Sequence, residues 1–325
     1  MARPRAKTFG IGIVLIIAVA TVSSLAATEI RWRRTFERPY PAISAVTDPA
    51  IVARGEYLVY GPAACAYCHV PKERWIDLDA GQRLPLSGSH VFRLPFGELF
   101  SANLTPDQVT GIGRRSDGEL ARVLRHGVRA DNRAAFPLME FQELSDDDLT
   151  AILSFLRSRP AVANEVPEHR LSLLGKALMA FAIEPTSAAT TPPLHSPAAV
   201  RSVERGDYLA NRVASCASCH TDRDPRNGQL VGPAFGGGQR MDIAADPTKV
   251  FVPPNLTPDA DTSPVGKWSE DQFLARFRQG ELVAGTPMPW GAFRRMTDDD
   301  VRSVYVYLRS LPPVRHVTGE VIQAR

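Results

Sequence analysis

The chain has 325 residues, a length that suits about two domains of ordinary size. Hydrophobic residues make up 44% and charged residues 22% of the sequence, which excludes a disordered chain. The formal net charge of +3 is too balanced to indicate a nucleic-acid partner or a strongly acidic substrate. The 27 prolines favour loops and short helices over long regular elements.

The N-terminal segment, residues 1–30, predicts a membrane anchor. Basic residues precede an uncharged run over residues 8–28, close to the roughly 20 residues that a bilayer-spanning helix needs. Trp32 follows where an interfacial aromatic belongs, which favours an uncleaved helix. A cleavable signal peptide is the alternative, because residues 24–27 offer small side chains to a peptidase. The two alternatives predict, respectively, the periplasmic face of a bacterial inner membrane and a soluble periplasmic protein.

The rest of the chain is an internal repeat, which predicts two similar domains at residues 48–160 and 201–315. Five blocks keep their order and a nearly constant offset. They are residues 54–58 with 205–209, 65–69 with 216–220, 103–107 with 255–259, 145–148 with 297–300, and 155–158 with 307–310.

Each repeat unit is predicted to be helical at both ends with loops rich in Gly and Pro between them. The last helix begins at the N-caps Ser145 and Thr297, each followed by three acids that suit a helix start. Apolar residues then recur at helical spacing, and Pro160 and Pro312 end the two helices. The stripes are Leu149, Ile152, Leu153 and Leu156, and Val301, Val304, Tyr305 and Leu308. Since no stretch alternates like a strand, the sequence predicts an all-α fold.

Residues 161–200 connect the two units. An apolar stripe over residues 170–185 predicts a helix packed on the first domain, with a membrane-surface helix as the alternative. Residues 186–199 are rich in Ser, Thr, Ala and Pro and predict a linker.

All four cysteines occur in two C-x-x-C-H motifs at equivalent positions of the repeat. This is the pattern of covalent haem c attachment. Two thiols on one helical turn can add to the two vinyl groups of one haem, and the next residue supplies the proximal imidazole. The predicted attachment residues are Cys65, Cys68 and His69, and Cys216, Cys219 and His220.

Two other interpretations of the cysteines fit less well. A zinc ribbon would need both pairs on one ion, although they lie in separate units, and it would leave the histidines unexplained. Thioredoxin-like dithiols would need a βαβ context that the sequence lacks.

The sixth iron ligands are predicted to be methionines, since a thioether favours the reduced iron of an electron carrier. Met139 and Met288 are the candidates, at similar distances after their motifs. Met296 rivals Met288 but is better explained as a core residue. His126 rivals Met139, although Gln279 replaces it in the second unit. The remaining histidines have no motif around them and are predicted to be surface residues: His90, His169, His195 and His316.

Both units resemble class I cytochrome c domains. Together they are similar to the membrane-anchored cytochrome c subunits of bacterial alcohol, aldehyde and gluconate dehydrogenases. The resemblance rests on the Arg-Gly-acid-Tyr-Leu, C-x-x-C-H and Asn-Leu-Thr-Pro-Asp blocks and on the closing Tyr-Leu-Arg-Ser-Leu-Pro-Pro. It implies that Gly55 and Gly206 lie where the first and last helices cross, near Phe155 and Tyr307. One departure is Glu140 after Met139, where the second unit has Pro289, and this leaves the first ligand open.

The resulting hypothesis is an electron carrier with two covalent haems rather than an enzyme. The resemblance implies a periplasmic dehydrogenase or the quinol pool as donor, and a downstream cytochrome or oxidase as acceptor. The alternative is a dihaem peroxidase, which would need one iron with an open sixth position.

Overall fold

The computed structural model describes residues 5–186, 188, 190–224, 229–243 and 246–325. Residues 1–4 of the predicted anchor and residues 187 and 189 of the predicted linker lie outside this range. Helix α1 (Arg5–Arg31) begins the described chain. Its segment Val14–Arg31 is long and apolar enough to cross a membrane. A signal sequence near the N-terminus would have the same length and composition.

The first unit has helices at both ends and a small sheet between them. Its elements are α2 (Pro49–Tyr60), α3 (Cys65–His69), a 3-10 turn (Lys72–Arg74), α4 (Trp75–Asp79), β1 (Val91–Leu94), β2 (Gly97–Phe100), α5 (Asp117–His126) and α6 (Asp146–Arg157). Two elements from the connecting segment follow: β3 (Arg170–Leu171) and α7 (Leu173–Phe181).

The second unit repeats the order of first helix, motif helix, two strands, last helix and a third strand. Its elements are α8 (Val203–Tyr208), a π-helical turn (Leu209–Val213), α9 (Cys216–His220), β4 (Met241–Asp242), β5 (Lys249–Phe251), α10 (Pro264–Lys267), α11 (Glu270–Gln279), α12 (Trp290–Phe293), α13 (Asp298–Ser310) and β6 (Ile322–Ala324).

The prediction of an all-α fold is wrong, because the structure contains two three-stranded antiparallel sheets, one beside each unit's loops. The strand orders are β1-β2-β3 and β4-β5-β6. The strands are two to four residues long, too short for an alternating pattern to be visible in the sequence. In addition, β3 pairs with β2 and β6 pairs with β5 across long sequence separations, so tertiary contacts set these pairings.

The first and last helices of each unit cross at a glycine, as the resemblance implied. Gly55 of α2 faces Phe155 and the backbone of α6, and Gly206 of α8 faces Tyr307 and the backbone of α13. A methyl group at either glycine would overlap a backbone carbonyl of the opposite helix. Only glycine therefore allows the two axes to approach this closely.

The predicted N-caps and buried stripes of the last helices are confirmed. The Ser145 hydroxyl accepts a hydrogen bond from the Asp148 N–H (3.1 Å), and Thr297 does the same for Asp300 (3.2 Å). The stripe residues of both helices are buried, apart from Tyr305, which is half-buried. Each stripe covers the core of its own unit.

The two units also pack directly against each other. One apolar cluster contains buried residues of both, including Leu58 and Leu308. At its edge, the Arg295 guanidinium donates to the Leu78 carbonyl (2.6 Å), and Arg212 lies 3.4 Å from the Glu143 carboxylate. The repeats are therefore joined by a shared core as well as by the connecting chain.

Candidate functional site

Each C-x-x-C-H motif forms one short helix, α3 or α9, preceded by a residue in the left-handed region. Ala64 has φ 50° and Ser215 has φ 48°. Such angles are unfavourable for residues other than glycine and persist where the surrounding structure imposes them. The same conformation at both equivalent positions turns the chain sharply into the first cysteine of each motif.

The two motif histidines are oriented in the same way. His69 Nδ1 lies 2.8 Å from the Ala102 carbonyl oxygen, and His220 Nδ1 lies 3.0 Å from that of Pro254. A carbonyl only accepts, so Nδ1 carries the proton and Nε2 keeps its lone pair. Burial lowers the pKa of both imidazoles, which favours the neutral form. Both rings are thus prepared to bind a metal through Nε2.

All four cysteines lie in the described part of the chain and carry free thiols. Burial raises the pKa of Cys65 and of Cys216 to about 12, so these thiols are neutral. Cys68 and Cys219 are exposed. Neither pair forms a disulfide, which leaves both pairs available for covalent attachment of a haem.

Buried polar atoms beside α3 support a bound cofactor there. Trp75 packs against the Tyr67 ring and stacks on His90, each with 5.3 Å between ring centroids. Trp75 Nε1 and His90 Nδ1 are buried and have no hydrogen-bond partner among the described residues. Because buried polar groups are nearly always paired, a cofactor with polar substituents fits this position. The prediction that His90 is a surface residue is wrong, since it is 8% exposed.

The candidate methionines lie in loops rather than in helices. Met139 is half-buried in a short irregular segment between the turn at residues 137–138 and the turn that precedes α6. Met288 is partly buried against the shared core, just before α12. Its rival Met296 is a core residue, 3% exposed, as predicted. His126, the rival of Met139, is half-buried at the end of α5.

The segment after each candidate methionine, a loop in the first unit and helix α12 in the second, contacts the motif helix of the other unit. After Met139, the Glu140 carboxylate accepts a hydrogen bond from Ser218 of α9. After Met288, Gly291 lies against the Tyr67 side chain of α3, and a methyl at this glycine would overlap the Tyr67 hydroxyl. Tyr67 and Ser218 occupy equivalent positions in the two motifs, so the arrangement is reciprocal.

The Asn-Leu-Thr-Pro-Asp blocks have a structural role that the sequence alone did not reveal. The Asn103 amide donates to the Val162 carbonyl (2.9 Å), and Asn255 donates to that of Val314 (2.8 Å). Both asparagines are buried. Each amide ties the segment after the last helix to the loop that supplies the carbonyl acceptor of the motif histidine. The only signal in the sequence was the repetition of the block.

Two single-turn helices that each present two thiols and a metal-binding imidazole define the site of a c-type cytochrome. The chain is 30% identical over 287 residues to the cytochrome c subunit of alcohol dehydrogenase (quinone) from Gluconobacter oxydans, an alignment that covers 82% of this chain and 56% of that protein. It is 29% identical over 312 residues to the fructose dehydrogenase cytochrome subunit from Gluconobacter japonicus. This alignment covers 91% of this chain and 58% of that protein.

A third relative is similar along its whole length. The diheme cytochrome c-type from Cereibacter sphaeroides is 24% identical over 339 residues, which covers 95% of this chain and 99% of the relative. The chain spans less than two thirds of the length of the dehydrogenase subunits that it matches. No family model matches it.

The chain is thus homologous to the cytochrome c subunits of bacterial dehydrogenases, which confirms the predicted resemblance. The homology implies covalently bound haem c.

Proposed function

We propose that the protein is a dihaem c-type cytochrome that transfers electrons and is not itself an enzyme. Cys65 and Cys68 would attach one haem, with His69 and Met139 as its axial ligands. The equivalent residues for the second haem are Cys216, Cys219, His220 and Met288. Bound haem supplies one-electron chemistry at its iron. The protein holds the imidazoles neutral and correctly oriented and surrounds both sites with apolar side chains.

The observation that carries this proposal is the duplication of one site geometry. Left-handed residues at Ala64 and Ser215 precede the two motif helices, and each motif histidine is bonded through Nδ1 to a backbone carbonyl. A structural role for the motifs alone would not require the same ring orientation twice. Two equivalent metal-binding imidazoles beside two thiol pairs are what a dihaem protein requires.

We further propose that the two sites act as a relay. Glu140 and Gly291, each next to a candidate methionine loop, contact the motif helix of the opposite unit. This reciprocal packing supports a short path between the haems. Residues 48–160 and 201–315 would each form one haem domain, with residues 161–200 between them.

The membrane location and the redox partners are part of the same proposal. Helix α1 would anchor the chain with both units on the periplasmic side, since its apolar residues from Val14 to Ile30 are largely exposed. A signal sequence would give a soluble periplasmic protein instead. The names of the relatives support a dehydrogenase as partner. We propose a periplasmic dehydrogenase or the quinol pool as donor and a downstream cytochrome or oxidase as acceptor.

The test is the near-infrared spectrum of the oxidised full-length protein, with haem quantified per chain. Two haems and a methionine-to-iron charge-transfer band of full intensity for both are expected. Met139→Leu and Met288→Leu should each remove half of this band. Met296→Leu and His126→Asn are matched controls and should leave it unchanged. Fewer than two haems per chain would contradict the proposal.

The same spectra test the peroxidase alternative, for which the cytochrome relatives give no support. If Met139→Leu left the band unchanged, the first haem would lack a Met139 ligand. Binding of carbon monoxide by the reduced wild-type protein would then indicate an open iron. An electron carrier with two methionine-ligated haems should not bind it.

A further inference from the structure

Helix α7 presents an apolar face that neither unit covers. Leu173 is 53%, Leu174 56% and Phe181 57% exposed. Leu174 and Phe181 are seven positions apart and so lie on one line along the helix. The opposite side is occupied, because Gly175 lies against the Phe96 carbonyl and Met179 is buried. The exposed residues are therefore held in place on a fixed helix.

Polar contacts fix α7 to the C-terminal end of α1. The Lys176 ammonium lies 2.5 Å from the Glu29 carboxylate. The Arg31 guanidinium donates to the Ala180 carbonyl (3.0 Å) and lies over the Phe181 ring, 5.7 Å from its centroid. These contacts position α7 beside the last turn of the candidate membrane span.

The chain that follows α1 makes the same attachment. The Arg34 guanidinium donates to the Ile183 carbonyl (2.7 Å) and pairs with the Glu184 carboxylate (2.7 Å). Three cations lie close to the Trp32 ring: the Arg33 guanidinium is 4.5 Å, the Lys176 ammonium 5.5 Å and the Arg133 guanidinium 5.9 Å from its centroid. An aromatic ring flanked by basic side chains is typical of the headgroup level of a bilayer.

We propose that α7 is a membrane-surface helix that lies on the phospholipid bilayer beside α1, with Leu173, Leu174 and Phe181 in the lipid. This inference rests on the proposed anchoring role of α1, because α7 packs against the C-terminal end of that helix. The lipid would cover the apolar face, and the cations around Trp32 would meet the phosphates. The first unit would thus be held at a fixed height and orientation on the membrane, instead of swinging on a single helix.

The test uses the full-length protein with bound haem in vesicles of phosphatidylethanolamine and phosphatidylglycerol. The vesicles contain a phospholipid with a photoactivatable diazirine in its acyl chain. After illumination and trypsin digestion, label is measured on peptide 8–31 of α1 and on peptides 171–176 and 177–201, which contain α7. Peptide 279–294 is the control, because Leu282 in it is 63% exposed and belongs to the second unit, whereas α7 follows the first.

The expected result is severalfold more label on both α7 peptides than on peptide 279–294. The double variant Leu174→Gln with Phe181→Gln should reduce the label on these two peptides to the control level and leave peptide 8–31 unchanged. Leu282→Gln, a matched change of an exposed leucine, should alter none of them. Label on peptide 8–31 alone would overturn the docking of α7 and leave the anchor intact. If none of the peptides 8–31, 171–176 and 177–201 carried label, both the membrane anchor and the docking of α7 would be refuted.

Discussion

The Tyr57 hydroxyl of the first unit donates a hydrogen bond of 2.5 Å to the Asp300 carboxylate of the second. The same oxygen of Tyr57 accepts from the Thr297 N–H (3.3 Å). Tyr208 makes the reciprocal contact and donates to Asp148 of the first unit (2.8 Å). Each tyrosine thus binds the first turn of the last helix of the opposite unit. The contact couples the two repeats at two equivalent points.

Tyr57→Phe should therefore weaken the interface between the units. The ring stays, but the Asp300 carboxylate loses a donor in a buried position, which costs about 1–3 kcal/mol. We expect a lower midpoint in urea unfolding followed by circular dichroism. Tyr307→Phe is the control, because the Tyr307 hydroxyl accepts a hydrogen bond from Asn211 of its own unit (2.8 Å) and does not join the two units among the described hydrogen bonds. Equal effects of the two variants would argue against a special role for the interface.

The ion pairs that these two aspartates form with an arginine of their own unit differ in burial. Arg205 and Asp300 form an ion pair in which both side chains are buried, 1% and 2% exposed, at 2.8 Å. The equivalent Arg54 is 25% exposed, although it pairs with the buried Asp148 at 2.9 Å.

Arg205→Met should leave Asp300 as a buried charge without its cation and destabilise the protein by about 3–5 kcal/mol. Arg54→Met should destabilise the protein less, because water can reach the Asp148 carboxylate at the position that the partly exposed Arg54 guanidinium leaves. Urea unfolding of both variants measures the difference. Adding Asp300→Asn to Arg205→Met should recover part of the loss, and an equal loss in both single variants would contradict the burial argument.

The last helices were predictable because all their determinants are local. Ser145 and Thr297 accept hydrogen bonds from the N–H of the third helical residue, and the apolar positions after them recur at helical spacing. The three acids of each block were explained only as a favourable helix start. The third one, Asp148 or Asp300, is in fact buried and binds residues of both units. Sequence periodicity cannot indicate which surfaces of two repeats meet.

The sheets and the environment of the first motif were not predictable for a related reason. The strand β3 has two residues and pairs with β2 only because the chain after α6 returns to it. His90 has no motif around it in the sequence, and it is buried because Trp75 stacks on its ring. The motif residues themselves were predictable, since their chemistry requires a fixed local spacing.

His169 gives a prediction about acid stability. Burial, together with the nearby Arg129 and Arg133, lowers the pKa of His169 to about 4. Its Nδ1 accepts a hydrogen bond from the Phe100 N–H (3.3 Å), which requires the neutral ring. The ordinary pKa is about 6.5, so above that pH the ring is neutral in both the folded and unfolded chains. Between about pH 6.5 and 4 only the unfolded chain binds the proton, so stability falls as the pH falls.

His169→Asn should reduce this pH dependence. We expect the fall in thermal midpoint between pH 7 and pH 4.5 to be smaller in the variant than in the wild type, as measured by circular dichroism. His195→Asn is the control, since His195 is an exposed histidine. If both variants kept the full wild-type dependence, other groups would be responsible for the acid sensitivity.

Gly291 tests whether the two cofactor sites are mechanically linked. A methyl at this position would overlap the Tyr67 hydroxyl and the Asp79 carboxylate, which are hydrogen-bonded to each other in the first unit. Gly291→Ala should therefore push α12, and with it the loop of Met288 that precedes it, away from α3. If Met288 is the ligand of the second haem, we expect the charge-transfer band to lose up to half its intensity.

Restoring space in the opposite unit should reverse this effect. Tyr67→Ala removes one of the two side chains that the new methyl meets, although Tyr67 lies in the first motif and not in the second. It also releases the other one, Asp79, from its hydrogen bond, so that the carboxylate can turn into the vacated space. The double variant Tyr67→Ala with Gly291→Ala should regain most of the band, whereas Tyr67→Ala alone should keep it. Recovery would mean that a change in the first motif helix repairs the ligand loop of the proposed second haem. A band that is lost in Gly291→Ala and not regained in the double variant would contradict the link through Tyr67.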